Sequence, residues 1–279
     1  LAVDDEEMNL VVAKGVLGNY GIEVDTCLSG KEAIAQCSSV SYDIIFLDHM
    51  MPGFDGVETL KKLREIRNGM YQNLPVIALT ANTVSGAREM FRNEGFTEFI
   101  PKPIERTVLE RVLRKVLPKG CIQYSVTSEN MGKIAEAVSI VPVDVPDHSE
   151  SVEQLTPSAE ASESSYDQLE QAGINVELGL DYCAGDEDFY REMLRLFSTQ
   201  GAEKRAEITA LYESANWTDY AVKVHALKST SLTIGAEALS AQAKELELAG
   251  KRGDVNFIQE HHRALLCAYE ELCEQIIEL

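Results

Sequence analysis

Two kinds of hydrophobic pattern divide the chain. Over the first 118 residues, short apolar runs alternate with stretches in which apolar positions recur every three or four residues. The runs (Leu1–Val3, Ile22–Cys27, Asp43–Leu47, Leu74–Leu79 and Phe96–Ile100) predict buried strands. The periodic stretches predict helices over Met8–Asn19, Gly30–Ser38, Val57–Asn68, Ser85–Asn93 and Ile104–Val116. Five strands alternating with five helices predict an α/β doubly wound, five-stranded parallel sheet. From about Tyr166 onward the strand signal vanishes. Helical patterns over Asp186–Ser214, Thr218–Thr233, Glu237–Gly250 and Asp254–Ile277, with short breaks, predict an antiparallel four-helix bundle. Residues 119–165 carry Ser, Glu, Asp, Val and Pro without lasting period, which predicts an acidic flexible linker with at most a short helix near Ile134–Val138. The expected boundaries are therefore 1–118, 119–165 and 166–279.

Charge and composition narrow the partners. The formal net charge is −21 over 279 residues, which argues against nucleic acid or an anionic membrane surface as partner. No apolar run approaches the ~20 residues of a membrane span. The six cysteines form no CxxC pair and fit a reducing, cytoplasmic setting. The chain opens on Leu1 inside an apolar run, without an initiator Met, and is expected to be a piece of a longer protein that is itself anchored to a membrane or not.

The strand ends carry the chemistry. Asp4 and Asp5 follow LAV, Asp48 follows DIIFL, Thr80 follows PVIAL, and Lys102 follows EFIP. In a parallel sheet the carboxyl ends share one edge, where ligands bind, so residues scattered over a hundred positions meet in one pocket. Three carboxylates suit a divalent cation such as Mg²⁺. Asp48 is placed to attack a phosphoryl donor and form an acyl phosphate. The Lys102 ammonium would neutralise developing phosphate charge and the Thr80 hydroxyl would bind a phosphate oxygen. His49, next to Asp48, reads as structural. Taken singly each of these motifs is weak; an acidic pair after a strand is often a solvated helix start.

In order, however, LAVDDE, LDHMMPGFDG, ALTA and FIPKP resemble the signature blocks of response-regulator receiver domains, over residues 1 to about 118. The resemblance implies a flavodoxin-like receiver with Asp48 as phosphoacceptor. It implies Mg²⁺ held by Asp4, Asp5, Asp48 and the backbone carbonyl of Met50. It implies that Thr80 and Lys102 couple phosphorylation to a switch, with Phe99 at the aromatic switch position. Met50 and Asn82 would flank the approach of a hydrolytic water.

The bundle carries one further candidate. At 100° per residue, Tyr220, Val224, Leu227, Ser231 and Ile234 form one stripe, and His225 falls roughly 140° from its centre. That predicts an exposed imidazole, with Lys228 and Ser229 one turn later. A neutral exposed imidazole is a competent nucleophile, but an exposed helical His is most often a plain surface residue. His261 and His262 read as members of a polar patch. The block VHALKSTSLTIGA, with GDEDFYREMLRLF before and AKELELAGKRGD after, is similar to the HxLKGxxxxxG signature of histidine phosphotransfer (HPt) domains, with Ser229 where Gly is usual.

Together the two resemblances imply the C-terminal part of a hybrid sensor histidine kinase. Phosphate would pass from a kinase-domain histidine to Asp48, then to His225, then to the aspartate of a separate response regulator. No kinase ATP-binding core is legible in these residues, so the fragment would be a phosphotransfer module. Docking is expected through apolar surface around His225 against the first receiver helix (Leu10, Val11, Lys14). Two rival readings are a haloacid-dehalogenase-like phosphatase, which needs a DxD motif after the first strand, and a degenerate binding scaffold without phosphate flow.

Overall fold

In the computed structural model the described residues are 1–66, 71–81, 87–125, 137–139 and 166–278. The first unit holds strands β1 (Ala2–Val3), β2 (Thr26–Cys27), β3 (Ile45–Asp48), β4 (Val76–Thr80) and β5 (Glu98–Pro101). They alternate with helices α1 (Glu7–Gly18), α2 (Gly30–Ser39), α3 (Gly56–Glu65), α4 (Ala87–Glu94) and α5 (Arg106–Val116). The strands are all parallel, in the order β2-β1-β3-β4-β5. The chain reverses direction across the sheet between β1 and β3, and that switch point is where an open α/β sheet leaves a crevice.

Alternation of side chains sorts the core into two layers. Ala2, Phe46, Ile77 and Leu79 pack with Met8, Leu17, Leu109 and Leu113 of α1 and α5. Val3, Ile45, Leu47, Val76 and Ala78 pack on the other face with Cys37, Leu60, Leu63 and Phe91 of α2, α3 and α4. Ser29 and Asp55 cap α2 and α3 by accepting hydrogen bonds from Glu32 and Glu58 backbone N–H groups. Residues 123–125 (β6) and 137–139 (β7) pair as an antiparallel two-stranded sheet. The short helix expected near Ile134–Val138 is therefore not formed at its end, where Ala137 and Val138 lie in a strand; β-branched Val suits that choice. Residues 126–136 and 140–165 of the expected linker lie outside the described residues.

The second unit begins with a helical segment at residues 166–171 and α6 (Val176–Tyr182), neither expected from the sequence. Each is only two turns or less, too short for a periodic signal. The bundle proper is α7 (Glu187–Glu213), α8 (Trp217–Thr233), α9 (Glu237–Arg252) and α10 (Val255–Ile277). Its helix starts are capped by Asp186, Asn216 and Asp254, each accepting from the backbone N–H three residues on. The stripe Tyr220, Val224, Leu227, Ser231 and Ile234 is buried as expected. His262 departs from expectation. It is buried, hydrogen-bonded to the Tyr220 hydroxyl at 3.2 Å and stacked on Tyr212 at 4.0 Å. Its ring is flat enough to serve as an aromatic core residue, which a polarity reading misses.

Gly235 ends α8 at φ +83, and a Cβ there would lie 2.0 Å from the carbonyl oxygen of Asn175. Its own carbonyl accepts the Asn175 N–H at 2.9 Å. Gly253 ends α9 at φ +71 with open space around it. Gly253→Ala is expected to cost only about 1–2 kcal/mol for the left-handed backbone. Gly235→Ala adds a backbone collision and is expected to cost about 3 kcal/mol or more. Denaturant midpoints of the two variants measure the difference; equal losses would show that the α6–α8 contact is not tight.

Candidate functional site

Strand register brings the acidic residues and the lysine together. Val3 pairs with Leu47, so Asp4 stands beside Asp48 at adjacent strand ends. Asp48 pairs with Leu79 and Thr80 with Pro101, so Thr80 and Lys102 step outward along the same edge. The Lys102 Nζ lies 2.7 Å from an Asp4 carboxylate oxygen and 3.0 Å from one of Asp48. All three groups are almost fully buried. Asp4, Asp5 and Asp48 each offer an oxygen within 4.8 Å of the others. The other Asp4 oxygen accepts from the Glu6 N–H and the Asn9 side chain, which fixes the carboxylate at the start of α1. Asp48 accepts from the Met50 N–H at 3.3 Å. Gly56 lets the loop close, because a Cβ there would sit 2.3 Å from the Asp48 carbonyl oxygen.

The electrostatics follow from burial. Burial, with Asp4 and Asp5 close by, pushes Asp48 up against the opposing pull of Lys102. Asp5 is pushed up to about 6, by burial first and then by its acidic neighbours. Burial alone would lower Lys102, but Asp4 and Asp48 hold it well above the usual lysine range. Asp5 Oδ2 is buried without a hydrogen-bond partner. A buried carboxylate oxygen of this kind is costly unless a cation or donor reaches it.

His225 on α8 is not exposed, contrary to the helical-wheel expectation. It lies off the bundle's apolar stripe, yet only 2% of it is accessible, with Glu247 and Lys228 of the bundle on its ring and Lys102 of the first unit among the charges near it. Its Nδ1 lies 2.7 Å from Glu247 of α9, and Glu247 also receives Lys228 at 2.5 Å and Lys251. A carboxylate only accepts, so Nδ1 carries the proton and Nε2 keeps its lone pair. Nε2 is buried with no hydrogen-bond partner among the described residues. Burial pulls the imidazole down to about 4, against the opposing effect of the Glu247 hydrogen bond. Burial would raise Glu247, but His225 and Lys228 hold it far below the usual range. Lys228, expected to be freely exposed, is mostly buried in this network.

Three lysines place His225 over the pocket. Lys223, two residues before it, lies 3.6 Å from Asp5 at the end of β1. Lys228, three residues after it, donates to the Ala81 carbonyl at 3.4 Å, just past β4. Lys251 reaches the Met50 sulfur at 3.5 Å, beyond β3. Since β3 lies between β1 and β4, the imidazole is bracketed above the strand that ends in Asp48. The contacts that flank His225 are thus polar, one ion pair and two hydrogen bonds to uncharged acceptors, where apolar ones were expected. The first helix does join the interface, against α7: Gln200 and Lys204 meet Glu7 and Glu6, Phe189 packs at Gly15, and the expected Leu10 and Val11 belong to the same apolar cluster as Met193 and Phe197.

Sequence reasoning missed Glu247 and Lys223. Glu247 sits in an AKELELAGK stretch that alternates charge like any solvated helix face. Only its distance from His225, 22 positions away, gives it meaning. His49 is structural as expected, packed edge-on to Phe91 at 5.0 Å and 3.6 Å from Glu94. Phe99 stacks on the same Phe91 at 5.6 Å. Asn82 lies outside the described residues.

Comparisons with known proteins agree with both halves. Residues 1–114 match the response regulator receiver domain and residues 192–278 the Hpt domain. The chain is 37% identical over 124 residues to hybrid signal transduction histidine kinase L of Dictyostelium discoideum, covering 43% of this chain and 7% of that protein. It is 29% identical over 134 residues to signal transduction histidine-protein kinase BarA of Escherichia coli, covering 48% and 14%. Aerobic respiration control sensor protein ArcB of Escherichia coli matches at 28% over 143 residues, covering 51% and 18%. The chain thus spans less than a fifth of each of these relatives. Among solved structures, chemotaxis protein CheY4 of Vibrio cholerae is 30% identical, with 42% of this chain and 95% of that one covered and a TM-score of 0.38. The receiver domain of sensor histidine kinase PA1611 from Pseudomonas aeruginosa, described with a magnesium ion in its active site cleft, is 31% identical, covering 41% and 93%, with a TM-score of 0.37. The chain belongs to the response regulator receiver family in its first part and to the Hpt domain family in its last.

Proposed function

We propose that this chain is the receiver and phosphotransfer part of a hybrid sensor histidine kinase and works as two successive stations of a phosphorelay. Asp48 takes a phosphoryl group from a kinase phosphohistidine, His225 takes it from Asp48, and the aspartate of a separate response regulator takes it from His225. The observation that carries this reading is the bracketing of His225 over β3 by Lys223, Lys228 and Lys251. No DxD motif follows β1, as the phosphatase alternative would need.

The residues divide the work. In the step between the two units, the Nε2 lone pair of His225 forms the N–P bond while the P–O bond to Asp48 breaks, returning the aspartate to a carboxylate. Glu247 holds the Nδ1 proton and balances the positive charge that the ring gains. Lys102 stays beside the regenerated carboxylate, and Lys228 is a positioning residue that ties Glu247 to the receiver's rim. Thr80, buried at the end of β4, would bind a phosphoryl oxygen. Asp4, Asp5, Asp48 and the Met50 carbonyl would hold Mg²⁺, for which an all-oxygen cluster with an unsatisfied Asp5 oxygen is suited. When bound, the ion supplies charge neutralisation for the phosphoryl oxygens. Upstream the partner is a kinase core and downstream a receiver, both on the cytoplasmic side, where six free cysteines are at home. Among the described residues no helix is long and apolar enough to cross a membrane.

A small phosphodonor with Mg²⁺ should label Asp48, and label on His225 should be the acid-labile, base-stable phosphate of phosphohistidine. His225→Gln removes that second form and leaves the first. Asp48→Asn protein that still takes up acid-stable label at normal stoichiometry would exclude Asp48 as acceptor.

Transfer within one chain should be first order and insensitive to dilution. The two units belong to one chain, which keeps the partner at an effective concentration of order millimolar. Mixed Asp48→Asn and His225→Gln chains should exchange label far more slowly than the intact chain at low micromolar concentration. Equal rates would rule out the internal route.

Acid should loosen the docked arrangement through His225. The imidazole is pulled down to about 4 from an ordinary 6.5, so the docked form is fully favoured above pH 6.5 and loses ground as pH falls toward 4. The charges that face it are Glu247, Lys228 and Lys102. His225→Gln should flatten that part of the pH profile of the radius of gyration; an unchanged profile assigns the titration elsewhere.

A further inference from the structure

The bundle does not only cover the acidic pocket; it places a cation in it. Lys223 Nζ lies 3.6 Å from Asp5, on the one carboxylate of the cluster that Lys102 does not touch within ion-pair distance. The reach is made possible by Glu207 of α7, 3.2 Å from the same ammonium, which holds the side chain extended from α8 toward β1. Asp5 Oδ2 has no hydrogen-bond partner, so Lys223 supplies its nearby charge without satisfying it. A divalent ion bound by Asp4, Asp5 and Asp48 would use that same oxygen set and would face Lys102 and Lys223 at close range. Like charges in a poorly solvated cleft repel strongly.

We propose that Lys223 makes bundle docking and divalent-cation binding compete for Asp5. With the pocket free of cation, the Lys223–Asp5 pair helps hold the two units together. Cation binding displaces Lys223 and loosens the docked bundle. By reciprocity, docking weakens cation affinity by the same factor. The other contacts, among them Lys204–Glu6, Gln200–Glu7, Lys228–Ala81 and Phe189 at Gly15, engage no cluster carboxylate side chain, so they set how far the docked fraction falls once Lys223 is displaced. The consequence is a receiver that exchanges its ion more freely when the bundle has swung away. This rests on the reading of the acidic cluster as a divalent-cation site.

Two measurements on the full chain test it. Free Mn²⁺, a paramagnetic stand-in for Mg²⁺, is titrated against the wild type, Lys223→Gln and Lys223→Arg and counted by electron paramagnetic resonance. Affinity should rise three- to tenfold in Lys223→Gln and stay near the wild-type value in Lys223→Arg, which keeps the charge. Small-angle scattering should show the wild-type chain expanding as Mg²⁺ is added, and Lys223→Gln already expanded and insensitive to it. Equal affinity in the wild type and Lys223→Gln, or a wild-type chain that stays equally compact with Mg²⁺, overturns the competition while leaving the cation site intact. Failure of the wild type and of Lys223→Gln alike to bind either ion overturns the cation site as well.

Discussion

Lys102 is the interaction on which the rest depends. Three carboxylates at adjoining strand ends cannot share a buried edge unless a cation offsets them, and Lys102 is the cation built into the same sheet. Its position requires β5 to lie beside β4 and the register to bring Pro101 level with Thr80. The sheet order is therefore constrained from the site as well as from the core. Remove the ammonium and a buried, uncompensated cluster remains, which strands of two to five residues could hardly hold in place. The same constraint explains why α1 lacks a side-chain cap at Glu6. The Asp4 carboxylate already binds the Glu6 N–H, and the Glu6 side chain is spent on Lys204 of the bundle.

Most of the architecture was legible because its signals are local. Apolar runs ending in Asp48, Thr80 and Lys102 announce strand ends directly, and helix limits such as Glu187–Glu213 fall within a residue or two of the periodic pattern. The receiver pocket was legible for the same reason: each member is marked by the strand it terminates. What failed was any property set by two segments together. The accessibility of His225 was misjudged because a helical wheel describes one helix, whereas the imidazole is enclosed by groups from other elements, Glu247 of α9 first among them. Glu247 escaped notice because its role comes from α8 and α9 packing side by side, and nothing along the chain distinguishes it from Glu245. His262 was read as polar when it is a stacking partner. The ion pairs of the interface, too, belong to residues such as Lys223 and Asp5, separated by more than two hundred positions.

The two units also divide their electrostatic tasks differently. In the sheet, one lysine serves two carboxylates; in the bundle, one carboxylate serves a histidine and two lysines. The sheet cluster keeps an excess of carboxylates and the bundle cluster an excess of ammonium groups. Their faces remain complementary, acidic against basic. Contact between them lets Lys223 supply charge that the acidic cluster lacks. Complementarity of that kind favours selection and rapid encounter over permanence.

Gly15 gives this arrangement an evolutionary and engineering edge. A single methyl group there would meet the Phe189 ring at 2.7 Å, so the bare backbone of α1 serves as a socket for one aromatic side chain of the bundle. Receivers are often thought of as interchangeable cassettes. A foreign receiver bearing Ala or a larger residue at the corresponding turn would keep its own pocket and its own fold. On this bundle it would nevertheless sit askew, tilted about the ring of Phe189, with its phosphoacceptor drawn away from the imidazole. Compatibility between cassette and bundle is thus written partly in the absence of a side chain, at a distance from either reacting group.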